Sequence, residues 1–329
     1  MEAFVEVERG DRLESRHRVH GLAVTQNGDI LARVGNPDLW TYFRSSAKPF
    51  QALAVLESGA AEAFDFDERE IAVICSSHAG EDFHIETVRG ILKKIGLGEK
   101  NLQCGFHPPL DQAAREAFFR EGRQPSPIYN NCSGKHAGML SVCRYKGWPL
   151  DNYMEPDHPL QQEILRIVAR YSGLAPGAIH TGVDGCGVPV FYLSLEHMAK
   201  MYGRFFSEDR KEAQIISQAM RNNPEMVGGT RRFDSVFMRE LKGKVVCKGG
   251  SEGLEASAFL GEEPVAIVLK VEDGNERASW PGLIEFYAQM GLIAGEDLSR
   301  LDAFWHPPVK NVAGKIVGRI YANFTVARV

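Results

Sequence analysis

Segments that read as β structure crowd both ends of this chain, and segments that read as helix fill its middle. FVEVERG alternates apolar and polar residues near the start. HRVHGLAVTQNGDILARVG reads as two strands joined at Asn27-Gly28, a strong short-range hairpin signal. At the far end KVVCKGG, ASAFLG, EPVAIVLKVEDG and KIVGRIYANFTV all carry strand character, and one amphipathic helix lies near RASWPGLIEFYAQMG. Between the ends, SAKPFQALAVLESGA, FHIETVRGILKKIG, LQQEILRIVARYSG and EAQIISQAMRNNP place apolar residues at helical spacing. Several of these close on Gly or run into Pro, the expected stop signals. The pattern predicts an α/β fold of the α+β kind. A mostly antiparallel sheet would come from about residues 1–40 and 240–329, with a helix-rich lobe inserted over about 45–235. With no repeat and no flexible linker, one domain over 1–329 is expected.

The 329 residues carry a formal net charge of −5, which gives no general pull on nucleic acid or anionic membranes. No apolar run approaches the ~20 residues that span a bilayer. The opening MEAFVEVERGDRLESR lacks the apolar core of a secretory signal, so a cytoplasmic location is expected. Six cysteines, Cys75, Cys104, Cys132, Cys143, Cys186 and Cys247, are scattered along the chain. In a reducing cytosol they stay thiols: core filler by default, ligands or nucleophiles where the fold gathers them.

Three groups of residues carry chemistry. In TYFRSSAKPFQ, Pro49 suits a first helical turn, so a helix should start near Ser45 and put Lys48 on its face. A neutral Lys48 would free the Ser45 oxygen for attack on a carbonyl. Arg44 would either help keep that amine neutral or grip a substrate carboxylate. The bland alternative is a serine cap beside a solvent-facing lysine. Next, IAVICSSHAGED reads as a buried strand, IAVIC, running into a polar turn at Ser76-Ser77-His78. Downstream, Lys248 ends a strand ahead of Gly249-Gly250, where small residues let a ligand approach closely. Ser-x-x-Lys early and Lys-small-Gly late is partly like the serine β-lactamase arrangement, without its Ser-Asp-Asn element. Last, IYNNCSGKHAGML places Cys132 and Lys135 three apart at a helix start, and HTGVDGCGVPV holds Asp184 and Cys186 in a Gly-rich loop. Two thiolates and a nitrogen suit Zn2+; ligand chemistry alone favours His136 as the nitrogen, because lysine must lose a proton to bind metal. A further Gly-rich stretch, PEMVGGTRRFDS, is either a loop over a small polar substrate or a surface turn.

Taken together and in this order, RSSAKPFQ, CSSHAGE, NNCSGKHAGML, DGCGVP, NPEMVGGTRRFD and CKGGSEG resemble the Rhizobium etli-type L-asparaginases. The resemblance implies a serine β-lactamase-like fold and hydrolysis of L-asparagine to L-aspartate and ammonia. It implies two catalytic pairs, Ser45 with Lys48 and Ser77 with Lys248. It implies zinc on Cys132, Lys135 and Cys186, which moves His136 to the substrate contacts with Arg44 and Asp184. It also implies a homodimer. Gly249 and Arg231 depart from the commoner pattern. The alternatives are a glutaminase or a penicillin-interacting serine hydrolase on the same fold. A different class is a non-catalytic module that binds zinc or an amino acid.

Overall fold

The computed structural model describes residues 2–329. It opens with strands β1 Phe4–Arg9, β2 Arg12–Thr25, β3 Ile30–Val34 and β4 Trp40–Tyr42. Helices α1 Lys48–Glu57, α2 Ala60–Ala63, α3 Glu68–Ile74, α4 Asp82–Lys94, α5 Gln112–Arg120, α6 Ser133–Lys146 and α7 Pro159–Ser172 follow. Then come β5 His180–Val183, β6 Pro189–Ser194, α8 Leu195–Phe205, α9 Lys211–Asn222, α10 Pro224–Val227 and α11 Phe233–Glu240. The chain finishes with β7 Val245–Gly250, β8 Leu254–Phe259, β9 Val265–Val271, α12 Ser279–Met290, α13 Glu296–Trp305, β10 Pro308–Lys310, β11 Ile316–Asn323 and β12 Ala327–Arg328.

Two compact units result. The sheet unit is Met1–Ser46, Leu193–Ser207 and Phe237–Val329; the helical unit is Ala47–Tyr192 and Glu208–Val236. In the sheet unit the strand order is β10-β11-β1-β2-β9-β8-β7, every neighbour antiparallel, with β3 also on β2 and β12 on β3. The Asn27-Gly28 turn joins β2 to β3 as expected, with Gly28 at φ +88°. Strand β9 is buried along its whole length because helices cover both faces of the sheet there. Gly21 points at Phe286 of α12, so closely that a Cβ there would sit 2.9 Å from its ring. Three residues on along β2, Val24 lies beside Gly203 of α8, and side chains three apart on a strand face opposite ways.

In the helical unit α6 is the hub. Its residues Ser133 to Cys143 are all buried, and α1, α3, α4 and α7 pack around it. A helix buried on every side needs no amphipathic stripe. Its contact with α3 rests on glycine: a Cβ on Gly134 would come within 2.1 Å of the Val73 carbonyl, and one on Gly138 within 2.7 Å of Ile74.

Two local expectations are corrected. IAVIC is not a strand but the second half of α3 with its C-cap residue, Cys75. The reason lies just upstream, where Asp67 accepts the Glu70 amide at 2.8 Å and Glu70 accepts the Asp67 amide at 2.9 Å. That capping box starts a helix, and a short apolar run fits either structure until such a signal decides. The helix expected from Ser45 begins as a 3₁₀ turn over Arg44–Ala47, and the α-helix proper starts at Lys48.

Candidate active site

Arg44, Ser45 and Lys248 belong to the sheet unit. Arg44 has φ +48°, in the left-handed region that costs a non-glycine residue about 1–3 kcal/mol. The turn is held by Ser46, whose hydroxyl donates to the Lys248 carbonyl at 2.8 Å and whose carbonyl accepts from the Tyr202 hydroxyl at 2.8 Å. Gly250 permits the approach, since a Cβ there would meet Ser46 Oγ at 3.1 Å and Phe43 O at 3.3 Å. Ser45 and Lys248, both buried, therefore sit on neighbouring backbone segments. The Lys248 amine donates to the Gly249 carbonyl at 2.7 Å.

The other expected residues belong to the helical unit. After α3 the backbone turns through Ser76, Ser77 and His78 and is pinned on both sides. The Ser77 amide donates to Val227 O at 2.9 Å and the His78 amide to Asn131 O at 3.1 Å. Into this turn reaches Lys48, 1% exposed, donating to Ser76 O at 2.5 Å and lying 2.9 Å from Ser77 Oγ. Ser77, which sequence reasoning grouped with Lys248, thus meets Lys48. Removal from water disfavours a charged amine, and a neutral amine at that distance can take a hydroxyl proton.

The histidines beside the turn are not bases. Ser133 Oγ donates to Ile128 O at 2.9 Å, so it accepts from His78 Nε2–H at 2.8 Å; His78 Nδ1 accepts the Gly80 amide at 3.2 Å. Both ring nitrogens of the neutral ring are used. Burial comes first, and coupling to the titratable His84 and Lys48 adds to it, holding His78 well below the usual histidine range. His84 stacks on it with ring centroids 5.0 Å apart and is lowered to about 4, chiefly by burial.

The third group gathers where α6 begins. The Lys135 amine donates to Cys186 Sγ at 2.9 Å. Cys186 falls to about 5, first through the hydrogen bond from Cys132 and then through Lys135. Cys132 is correspondingly pushed up to about 12, by that same bond and by burial. Burial alone lowers Lys135, but Cys186, Cys132 and Asp184 more than offset it and the net shift is upward. These directions favour a thiolate at Cys186 beside an ammonium at Lys135, with the proton on Cys132. Asp184, half-buried, opens the tight loop that carries Cys186, and its carbonyl accepts the Gly187 amide at 2.8 Å. His136 is fully buried; the Tyr153 hydroxyl accepts the Gln103 amide at 3.0 Å and donates to His136 Nδ1 at 2.7 Å. With the Tyr153 hydroxyl as donor the ring proton lies on Nε2, which has no hydrogen-bond partner among the described residues.

Compared with known families, residues 5–322 match the model of L-asparaginase II. The chain belongs to the L-asparaginase II family. Among curated proteins no sequence matches it significantly. A β-lactamase from Mycobacterium bovis is similar in structure, with a TM-score of 0.44 and 14% identity over 84% of this chain and 95% of that one. A second structure, Mglu in its native form, has a TM-score of 0.37 and 11% identity over 85% of this chain and 67% of that one. Likenesses this weak bear on neither substrate nor site.

In this member of the L-asparaginase II family the groups around the start of α6 have the chemistry to hold a zinc ion once Cys132 and Lys135 give up their protons. Two sulfurs and one amine converge in a buried cluster, the soft donor set that zinc takes. Of the two candidate nitrogens, Lys135 is the one that touches a cysteine sulfur, while His136 Nδ1 is occupied by Tyr153. Three contributors escaped sequence reasoning. Cys104 lies near enough to Cys132 and Cys186 to feel both, and its thiol is pushed up to about 12, first by burial. Tyr153 sets the His136 tautomer, and no local motif announces either residue. Glu81 was visible only as a member of the CSSHAGE motif. Among the described residues no helix is long and apolar enough to cross a membrane.

Proposed function

We propose that the chain hydrolyses the side-chain amide of L-asparagine to L-aspartate and ammonia by serine–lysine chemistry. The observation that best supports this reading is the buried Lys48 amine 2.9 Å from the Ser77 hydroxyl, in a chain of the L-asparaginase II family. The neutral amine takes the hydroxyl proton as the oxygen attacks the amide carbonyl, then returns it to ammonia as the C–N bond breaks. Water next attacks the acyl carbon, and the serine leaves with its proton restored. The family resemblance brings Ser45 and Lys248 to the same catalytic list, with Ser45 the other candidate nucleophile. His136 offers its unpartnered Nε2–H to a substrate oxygen, and Asp184 offers a carboxylate to the α-ammonium. Arg44 is assigned to the α-carboxylate by resemblance.

Cys132, Lys135 and Cys186 would hold zinc, whose fixed charge would tie the start of α6 to the Asp184 loop and tune affinity. Acyl transfer would use the serine and lysine alone. The six free, buried cysteines suit a reducing cytosol. A homodimer comes from the resemblance and is testable by sedimentation.

The test is ammonia release from L-asparagine and L-glutamine, measured side by side for the unmodified chain, Ser45→Ala, Ser77→Ala and Lys48→Met. Release from asparagine that Lys48→Met abolishes supports the reading, and the serine whose loss prevents acyl-enzyme accumulation is the nucleophile. Release from glutamine alone would make the chain a glutaminase. Release from neither amide by folded, metal-loaded protein would overturn amide hydrolysis.

A further inference from the structure

The Gly-rich stretch after α10 is tied to the turn that carries Ser77, and one side chain makes the tie. Glu81 occupies the N-cap position of α4, with φ −67° and ψ 154°. Ser, Thr, Asp or Asn at that position turns back to accept the amide of the first helical turn, which contributes about 1 kcal/mol. Glu81 makes no such bond. Its carboxylate instead takes Thr230 in two places, the Thr230 amide at 2.8 Å on Oε1 and the Thr230 hydroxyl at 2.9 Å on Oε2.

The segment is shaped to receive that carboxylate. Gly229 has φ +135°, which other residues rarely adopt, and a Cβ there would sit 2.6 Å from Glu81 Oε1 and 2.8 Å from Ala79 Cβ. The Gly229 amide is held by Ser235 Oγ at 3.1 Å, and Ser235 in turn donates to Pro224 O at 2.6 Å. At the other end Val227 O accepts the Ser77 amide at 2.9 Å. The stretch Val227–Thr230 is thus fastened to Ser77–Glu81 at both ends, by a backbone bond at the serine and a two-point carboxylate clamp four residues on. A residue that gives up its own helix cap to hold a loop elsewhere breaks a local rule, and such breaks collect where function constrains the chain.

We propose that Glu81 is a positioning residue for amide hydrolysis: by clamping Thr230 it holds the Gly228–Arg232 segment over the Ser77 turn and so shapes the ground for the substrate. This rests on the amidohydrolase reading above. Glu81 touches no reacting atom, so its loss should loosen substrate binding more than it slows turnover.

The decisive variant is Glu81→Asp. Aspartate is a good N-cap but one methylene too short for Thr230, so the clamp opens while α4 keeps or gains its cap. Two readouts are needed: kcat and KM for L-asparagine, and the rate at which trypsin cuts the native chain after Arg231 or Arg232. Glu81→Asp and Glu81→Ala should each raise KM about tenfold or more, the loss expected for a charge-assisted hydrogen bond, with kcat within about threefold. Trypsin should cut faster in both, and Glu81→Asp should unfold at the same urea concentration as the unmodified chain or higher. Thr230→Val, which lacks the hydroxyl, should move KM and cutting in the same direction, and Thr230→Ser should restore both. Unchanged KM and unchanged cutting in Glu81→Asp would overturn the proposal. So would a kcat loss that tracks stability with KM unmoved. If the unmodified chain releases no ammonia from either amide, the amidohydrolase reading falls. Faster cutting in Glu81→Asp would then still establish the clamp, separating the two failures.

Discussion

Lys48 and Lys135 lie in the same unit at nearly the same depth, 1% and 2% exposed, yet one meets oxygens and the other a sulfur. Burial by itself disfavours the ammonium form of both. For Lys135 the Cys186 thiolate reverses that effect and the charged form wins. At Lys48 the Ser77 hydroxyl and the Ser76 carbonyl are groups without formal charge. The surroundings follow the same split. His78 and His84 beside the Ser77 turn are held neutral, while the Cys186 loop carries an ion pair. What an amine does in a protein interior is decided by the group about 3 Å away more than by depth.

The widest gap should appear in catalysis. Lys48→Met should lower kcat by about 10²–10⁴-fold, the contribution of a positioned base, while circular dichroism stays that of the unmodified chain. Lys135→Met should abolish stoichiometric zinc binding and raise KM but change kcat by less than about tenfold. Equal kcat losses would erase the distinction between a base and a ligand. Next in size is the ion pair itself. In metal-free protein Cys186→Ser leaves the Lys135 ammonium buried without its thiolate, which should cost about 3–5 kcal/mol in urea unfolding. Cys132→Ser removes only a protonated partner and should cost about 1 kcal/mol. The reverse ranking would mean that the proton sits on Cys186.

The neutral side of the comparison has a pH signature. His84 falls from the ordinary 6.5 to about 4 on folding, so between those values the unfolded chain binds the extra proton. Its contribution is complete above the ordinary value and is lost as pH falls toward 4. Between pH 7 and pH 5 that amounts to roughly 2 kcal/mol, and His84→Gln should flatten the urea midpoint across this window by that much. The smallest effect concerns the start of α3. Asp67→Ala removes one arm of the capping box and should cost about 1 kcal/mol of stability without touching kcat. A larger fall in kcat would mean that the Ser77 turn moves with the helix that delivers it.

Much of the frame was legible because strands and helices in this chain announce themselves by period: β1, the β2–β3 hairpin, β7 to β9, β11, α1, α4, α7, α9 and α12 all lie where the pattern placed them. IAVIC was not legible by period, since a run that short fits either structure, and its capping box was the overlooked signal. Single residues were recoverable where a motif groups them, as with Lys48, Ser77, Lys135 and Cys186. The bond from Lys48 to Ser77 was not, because it depends on α3 ending against α6, which in turn depends on Gly134 and Gly138. Tyr153 was beyond reach, because a loop tyrosine that bonds a ring nitrogen on a preceding helix leaves no trace in spacing.

The antiparallel pairing of β2 with β9 has a consequence for how a ribosome must make this chain. His17 on β2 meets Asp273, which is encoded 256 residues later. At a synthesis rate of about 5–20 residues per second, the first hairpin emerges roughly 10–50 s before the strand that shields it. During that wait Val19, Leu22 and Val24, all fully buried in the finished protein, lack β9, the strand that closes over this side of β2. The helical unit is complete in sequence by Val236, ahead of β7, β8 and β9, so it can condense while the hairpin is still waiting. A chain truncated after residue 240 should therefore protect the Ser77 amide from hydrogen exchange while β2 still exchanges freely.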